Sequence, residues 1–226
     1  MKIHNLEILN ADCMDVMKSY KDDYFNLAIV DPPYGIGEDG GNKHRAKPNK
    51  AWKNPAPKNY ASKEWDKTPP PPEYFIELIR VSKNQIIWGA NHFIENIPNA
   101  NSANWIVWYK AGQNPNTDFS DCELARGSFK KAIKYFKFDW IGFGAVNAKE
   151  YRIHPTQKPV ALYNWIYSNY SEPGQKIIDT HLGSGSNAIA AHYAQAGAFV
   201  GIELDPDYYA AACERIKEQT RQQVLF

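Results

Sequence analysis

Cysteine is scarce in this chain of 226 residues: Cys13, Cys122 and Cys213 are three, an odd and widely spaced set. A disulfide scaffold is therefore not expected, and a reduced, intracellular protein is. His44, His92, His154, His181 and His192 have no cysteine or histidine partners at ligand spacing, so no metal site is predicted. No apolar run approaches the roughly 18 residues needed to cross a bilayer. Met1 to Asp12 has no basic-then-apolar leader pattern. Together these absences predict a cytoplasmic protein with no membrane partner. Net charge is only +1, so no global field announces a polyanionic partner, and no internal repeat is visible.

What is present is enough apolar material, 43% of residues, to bury one sizeable core, and a single domain over residues 1–226 is expected. Charge is unevenly placed. Between Lys43 and Lys67 stand Lys43, Arg45, Lys47, Lys50, Lys53, Lys58, Lys63 and Lys67 against Glu64 and Asp66, with Trp52, Tyr60 and Trp65 among them. A second cluster, Arg126, Lys130, Lys131, Lys134 and Lys137, is interleaved with Phe129, Tyr135, Phe136, Phe138 and Trp140. Basic patches with aromatics suit a nucleic acid backbone and its bases, and an ordinary solvated loop is the alternative for either patch taken alone.

Leu6 to Leu9 and Leu27 to Val30 are short apolar runs ending in Asp12 and Asp31, the pattern of strands that deliver polar residues at their carboxyl ends. Residues 35–72 are proline-rich and aperiodic, and predict a long mobile loop. Glu73 to Val81 reads as a helix, Gln85 to Trp88 as a strand, Asn91 to Glu95 as a short helix and Trp105 to Tyr109 as a strand. Lys110 to Arg152, with scattered glycine, asparagine and aromatics, is expected to pair as hairpin-like strands. Val160 to Tyr170, Ser186 to Gln195 and Pro206 to Gln219 read as helices, with Lys176 to Asp179 and Phe199 to Glu203 as strands between them. Strands alternating with helices predict an α/β fold with a mostly parallel sheet covered on both faces.

Two segments carry chemistry. The first is Ile177-Ile178-Asp179-Thr180-His181-Leu182-Gly183-Ser184-Gly185-Ser186, a glycine-rich turn between a buried strand and a small-residue helix, where a ligand can approach the backbone closely. No Lys-Ser/Thr follows the glycines, which excludes a triphosphate loop. Glu203 ends the next strand, about twenty residues on, where a carboxylate can accept both hydroxyls of a ribose. The second is Asp31-Pro32-Pro33-Tyr34, at the carboxyl end of the Leu27 strand. The Asp31 carboxylate and the Pro32 carbonyl offer two acceptors for the two hydrogens of a base amino group. Pro32 and Pro33 stiffen the turn, and Tyr34 offers a flat face for an extruded base. A tight turn after a strand is the plain alternative.

Asp31 to Tyr34 resembles the Asp-Pro-Pro-Tyr signature of amino-methylating DNA methyltransferases. His154-Pro155-Thr156-Gln157-Lys158-Pro159 ahead of a helix, then Asp179 to Ser186, then Glu203, resembles the cofactor region of that family, with the catalytic signature first as in its permuted beta group. The similarity runs from Leu6 to Arg215 and departs at His181-Leu182, where the family commonly has an aromatic before the glycine. It implies a Rossmann-like S-adenosylmethionine-dependent fold with a circularly permuted, seven-stranded sheet. It implies S-adenosyl-L-methionine as cofactor, with Asp179, Gly183, Ser184, Gly185 and Glu203 in its site, Asp12 near the adenine, and Thr156 and Lys158 bordering the methionine end. Target recognition falls within 110–153.

The expected activity is methylation of N6 of a flipped adenine in double-stranded DNA. The rivals are N4-cytosine methylation, whose signature more often begins with Ser, and a non-catalytic DNA-binding module of the same fold. RNA or small-molecule methylation ranks below DNA. The absence of a Pro-Cys dipeptide argues against C5-cytosine chemistry, which needs a thiolate. Lys43, Arg45, Lys47, Lys50, Lys53, Lys130 and Lys131 are the expected DNA contacts, by a monomer or a homodimer. Gln222-Gln223-Val224-Leu225-Phe226, in a tail over 220–226, resembles the short peptide that docks bacterial replication proteins on the sliding clamp; a frayed apolar tail is the alternative.

Overall fold

The computed structural model describes residues 1–37, 63, 65–110, 120–138, 140 and 151–221. Lys43, Arg45, Lys47, Lys50 and Lys53 lie outside these described residues, as do Gln222 to Phe226.

The strands are β1 (Lys2–Ile3), β2 (Leu6–Asn10), β3 (Leu27–Val30), β4 (Gln85–Trp88), β5 (Trp105–Tyr109), β6 (Cys122–Gly127), β7 (Lys134–Lys137), β8 (Lys176–Asp179) and β9 (Ala198–Glu203). They form one sheet in the order β1-β2-β9-β8-β3-β4-β6-β5-β7. From β2 through β4 all neighbours are parallel, and β5 and β7 are also parallel to each other. β6 runs antiparallel between β4 and β5. Leu27-Ala28-Ile29-Val30 and Gln85-Ile86-Ile87-Trp88 are buried along their whole length, as expected of parallel strands covered on both faces.

Side chains alternate across this sheet and build two cores. Leu27, Ile29, Ile86 and Trp88 face α3 (Val160–Tyr170), α4 (Ser186–Tyr193) and α5 (Pro206–Thr220), where Leu162, Ile166, Ala188, Ala212 and Ile216 meet them. Ala28, Val30 and Ile87 face α1 (Cys13–Lys18) and α2 (Pro72–Val81), against Met17, Phe75 and Leu78. The helices start where their sequences provide for it. Asp12 caps α1 by accepting from the Met14 N–H, Asp205 caps α5 by accepting from Asp207 and Tyr208, and Pro206 opens α5. Among the described residues no helix is long and apolar enough to cross a membrane.

Two expectations need correction. Among the described residues the sheet has nine strands where seven were expected, within the same fold class. The additional ones are margins: β1, two residues long, and β7, whose Lys-Tyr-Phe-Lys is largely exposed and carries no apolar alternation to announce a strand. The described part of 110–153 pairs as strands: it supplies β6 and β7, and β6 is inserted into the sheet itself. Asn91 to Glu95, expected as a short helix, falls in two successive 3-10 turns at Ala90–His92 and Ile94–Asn96.

Candidate active site at the carboxyl ends of the strands

Parallel pairing brings the carboxyl ends of β2, β9, β8, β3 and β4 to one end of the sheet, and with them Asp12, Glu203, Asp179, Asp31 and Trp88. The amino end of β6 arrives at the same end, because β6 runs the other way, and it delivers Glu123. Loops at this end of an open α/β sheet are where ligands bind.

In the Asp31-Pro32-Pro33-Tyr34 turn the Tyr34 hydroxyl donates to Asp31 Oδ1 at 2.8 Å. The turn is held from outside by Asp66, whose Oδ1 accepts from the Tyr34 N–H at 2.6 Å and the Gly35 N–H at 2.8 Å. The Tyr34 ring stacks on His92, with centroids 5.1 Å apart and planes 17° from parallel. Lys158 Nζ lies 2.5 Å from Asp31 Oδ2, 3.2 Å from the Tyr34 hydroxyl and 3.0 Å from Glu123 Oε2. Lys110 closes the other side of Glu123, 2.5 Å from Oε1. Burial pushes the Asp31 carboxyl up, and the Lys158 ammonium offsets only part of that. Burial pushes Glu123 the same way, but Lys158 and Lys110 together overcome it and hold its carboxyl at about 2. Lys158 is held above its ordinary value because Asp31 and Glu123 outweigh its desolvation.

The glycine-rich turn behaves as its sequence requires. Gly183 and Gly185 sit at φ +52° and +77°, in the left-handed region that favours glycine, and a Cβ on Gly185 would come within 2.9 Å of Ile216 Cδ1. Glu203 Oε2 accepts from the Gly183 N–H at 2.8 Å and Oε1 from the Asp205 N–H at 2.9 Å. Ser184 is buried, and its carbonyl accepts from Arg215 at 2.7 Å. Asp179 Oδ2 accepts from Asn187 at 2.9 Å, and Asn187 also donates to the Ile29 carbonyl at 3.1 Å. One buried amide thereby ties the Asp179 strand to the Asp31 strand. Burial raises the Asp179 carboxyl to about 7, against those hydrogen bonds. Thr156 Oγ1 is 3.2 Å from His154 Nδ1, and the His154 ring packs on Tyr208 at 4.3 Å. Burial drives His154 down to about 3, so this imidazole is neutral at physiological pH. His181, where the family pattern commonly has an aromatic, packs edge-on to Tyr74 at 5.4 Å and is driven by burial to about 4.

The structure therefore brings together Asp31, Pro32, Pro33 and Tyr34 in one turn, and Asp179, Gly183, Ser184, Gly185 and Glu203 beside it. Asp12 reaches the same end as the cap of α1. Lys158, expected at the methionine end of a cofactor, has its ammonium on Asp31. Lys130 and Lys131 stand in the turn after β6, at the opposite end of the sheet from Asp31. Lys131 there donates to the Asn169 carbonyl at 2.6 Å. Glu123, Lys110, Asp66 and His92 are part of the site and carry no sequence motif that would have found them.

A carboxylate with its own hydroxyl donor thus stands beside a glycine turn and a second strand-end carboxylate. Solved structures agree in fold. The M1.HpyAVI-SAM complex matches with a TM-score of 0.61 at 20% identity, over 93% of this chain and 98% of that one. The PvuII DNA methyltransferase (cytosine-N4-specific) matches with 0.58 at 11% identity, over 96% and 92%. In sequence, the Type II methyltransferase M2.MboI of Moraxella bovis is 25% identical over 96% of this chain and 89% of its own length. M2.DpnII of Streptococcus pneumoniae is 24% identical over 94% and 90%. The N6/N4 DNA methylase family model matches residues 25–214, and the chain belongs to that family.

Proposed function

We propose that this DNA methylase transfers a methyl group from S-adenosyl-L-methionine to N6 of an adenine flipped out of double-stranded DNA, with Asp31 as its catalytic carboxylate. The observation that carries the reading is the Asp31–Tyr34 turn at the end of β3, facing the Asp179–Gly185 turn and Glu203 across one end of the sheet.

The residues fit the cofactor chemically. Its ribose needs acceptors beside a backbone it can approach closely, and Glu203 at the Gly183 turn supplies both. Its cationic end needs nearby acceptors, and Asp31 and Asp179, the latter's carboxyl raised to about 7, supply these from adjacent strands. When bound, the cofactor would supply a methyl on a sulfonium: the base nitrogen would form the new N–C bond in line as the C–S electron pair left to sulfur. Asp31 and the Pro32 carbonyl accept the two amine hydrogens and stabilise the positive charge that develops on nitrogen. The Tyr34 hydroxyl holds Asp31 in orientation, and its ring, backed by His92, forms a wall for the base. No covalent nucleophile is required. A proton leaves the nitrogen to Asp31 or to water.

Adenine is favoured over cytosine by the first signature residue, Asp31, where N4-cytosine enzymes more often have Ser. The fold likeness to a cytosine-N4-specific enzyme keeps cytosine as the second reading. Labelled methyl transfer to mixed-sequence unmethylated DNA, followed by digestion to nucleosides, tests the choice. N6-methyladenine is expected; N4-methylcytosine would replace the base and keep the site.

A further inference from the structure

The Lys158 ammonium sits between two carboxylates, 2.5 Å from Asp31 and 3.0 Å from Glu123, and the residue is only 4% exposed. Lys110 completes the row on the far side of Glu123. Carboxylate, ammonium, carboxylate, ammonium therefore alternate across the site and sum to zero.

Both Asp31 oxygens are already engaged in this arrangement. Oδ1 takes the Tyr34 hydroxyl and Oδ2 takes Lys158. A base amine is the same kind of donor as the ammonium, and at Oδ2 it competes with Lys158 for the same carboxylate oxygen. During transfer the amine nitrogen also becomes positive, and two cations on one carboxylate in a site sheltered from water repel strongly. Lys158 is too deeply enclosed to leave for solvent, but a second carboxylate is already within bonding distance.

We propose that Glu123 is the receiving group for Lys158: entry of the base moves the ammonium off Asp31 and onto Glu123, and release of the methylated base returns it. This rests on the methyl-transfer reading of Asp31. The exchange makes and breaks only hydrogen bonds and ion pairs, and the charge within the row is unchanged before the base arrives and after it leaves. Lys110, paired with the other oxygen of Glu123, sets how strongly Glu123 competes with Asp31 for Lys158. Glu123 is thus a positioning residue, acting on the reaction through Lys158.

The test is kcat/KM for unmethylated DNA with labelled S-adenosyl-L-methionine, for wild type, Glu123→Gln, Lys158→Met and the double variant, with cofactor binding measured on each to confirm a folded protein. With an amide at 123 the ammonium stays on Asp31, and kcat/KM is expected to fall by about tenfold or more. Adding Lys158→Met removes the obstruction and is expected to restore the double variant to the rate of Lys158→Met alone. If Glu123 instead served to hold Lys158 on Asp31, Glu123→Gln would resemble Lys158→Met and the double variant would be no faster than either, which would overturn the proposal.

The pH profile of Glu123→Gln supplies a second reading that needs no Lys158 variant. Its acid limb is expected at lower pH than in wild type, because Asp31 keeps its ammonium and loses a neighbouring negative charge. A limb moved to higher pH would show Lys158 set loose and would also overturn it. Transfer by wild type alone keeps the two readings apart: none to any DNA would bring down the methyltransferase reading and the exchange with it, whereas normal transfer without rescue brings down the exchange only.

Discussion

Tyr34 packs its ring against the bare backbone of Gly89, so closely that a Cβ at position 89 would lie 2.1 Å from Tyr34 Cε1. Gly89 follows β4 directly, at φ +68°, in the left-handed region, and its N–H donates to the Leu124 carbonyl. The catalytic turn is thus seated on a position that excludes any side chain. Gly89→Ala is expected to cost about 1–3 kcal/mol of stability from the strained backbone alone. It is also expected to dislodge Tyr34 from His92 and lower methyl transfer. Chemical denaturation and activity together check this; an unchanged midpoint with unchanged activity would contradict it.

Tyr34→Phe keeps the ring and removes the hydroxyl that donates to Asp31 at 2.8 Å. That bond favours the charged carboxylate, so its loss raises the Asp31 pKa, and activity is expected to fail at a higher pH on the acid side. The loss of one such bond amounts to roughly 1 kcal/mol, or about fivefold in rate well below the Asp31 pKa, where the carboxyl is mostly protonated. A pH profile of kcat/KM superimposing on wild type would count against the role given to the hydroxyl.

Glu203→Gln substitutes an amide for the carboxylate that accepts from the Gly183 and Asp205 N–H groups. Affinity for S-adenosyl-L-methionine is expected to fall by about tenfold, the scale of a charge-assisted hydrogen bond, while DNA binding stays near wild type. Calorimetric titration of the cofactor measures it. Equal affinity would remove Glu203 from the cofactor site.

Asp179 links pH to folding. Burial raises its pKa from 3.8 to about 7, so the folded protein holds its proton more tightly than the unfolded chain does. The stabilising contribution is present in full below the unfolded value and is lost as pH rises through about 7. The stability of wild type minus that of Asp179→Asn is therefore expected to fall across this window, by on the order of 4 kcal/mol, and to level off above it. A difference independent of pH would show that Asp179 titrates normally in the fold.

Much of this was legible in the chain before folding. Leu27 to Val30 is four apolar residues bounded by Asn26 and Asp31, and it is a strand over those same residues. Continuous burial leaves an unbroken apolar run, and the chemistry follows it directly in sequence. The glycine turn and Glu203 were legible for the same reason. Glu123 was not, because its proximity to Asp31 comes from antiparallel pairing of β6 with β4, Trp88 opposite Ala125, and nothing local in Cys122–Gly127 records that partner. The contact of Lys158 with Asp31 was not legible either: its sequence context marks the approach to α3, while the direction of a long side chain is decided by which carboxylates surround it. The position of Lys130 and Lys131 was likewise not legible. Basic and aromatic residues alternate there, yet strand direction sends their turn to the end of the sheet away from the site.

The most direct test of the account replaces Asp31 by Ala and measures two quantities on one preparation: transfer of labelled methyl from S-adenosyl-L-methionine to unmethylated DNA, and binding of the cofactor. The account predicts transfer reduced by at least about a hundredfold, on the scale of losing a group that stabilises transition-state charge, with cofactor binding retained. Transfer at the wild-type rate would contradict it, because Asp31 would then have no part in holding the reacting amine.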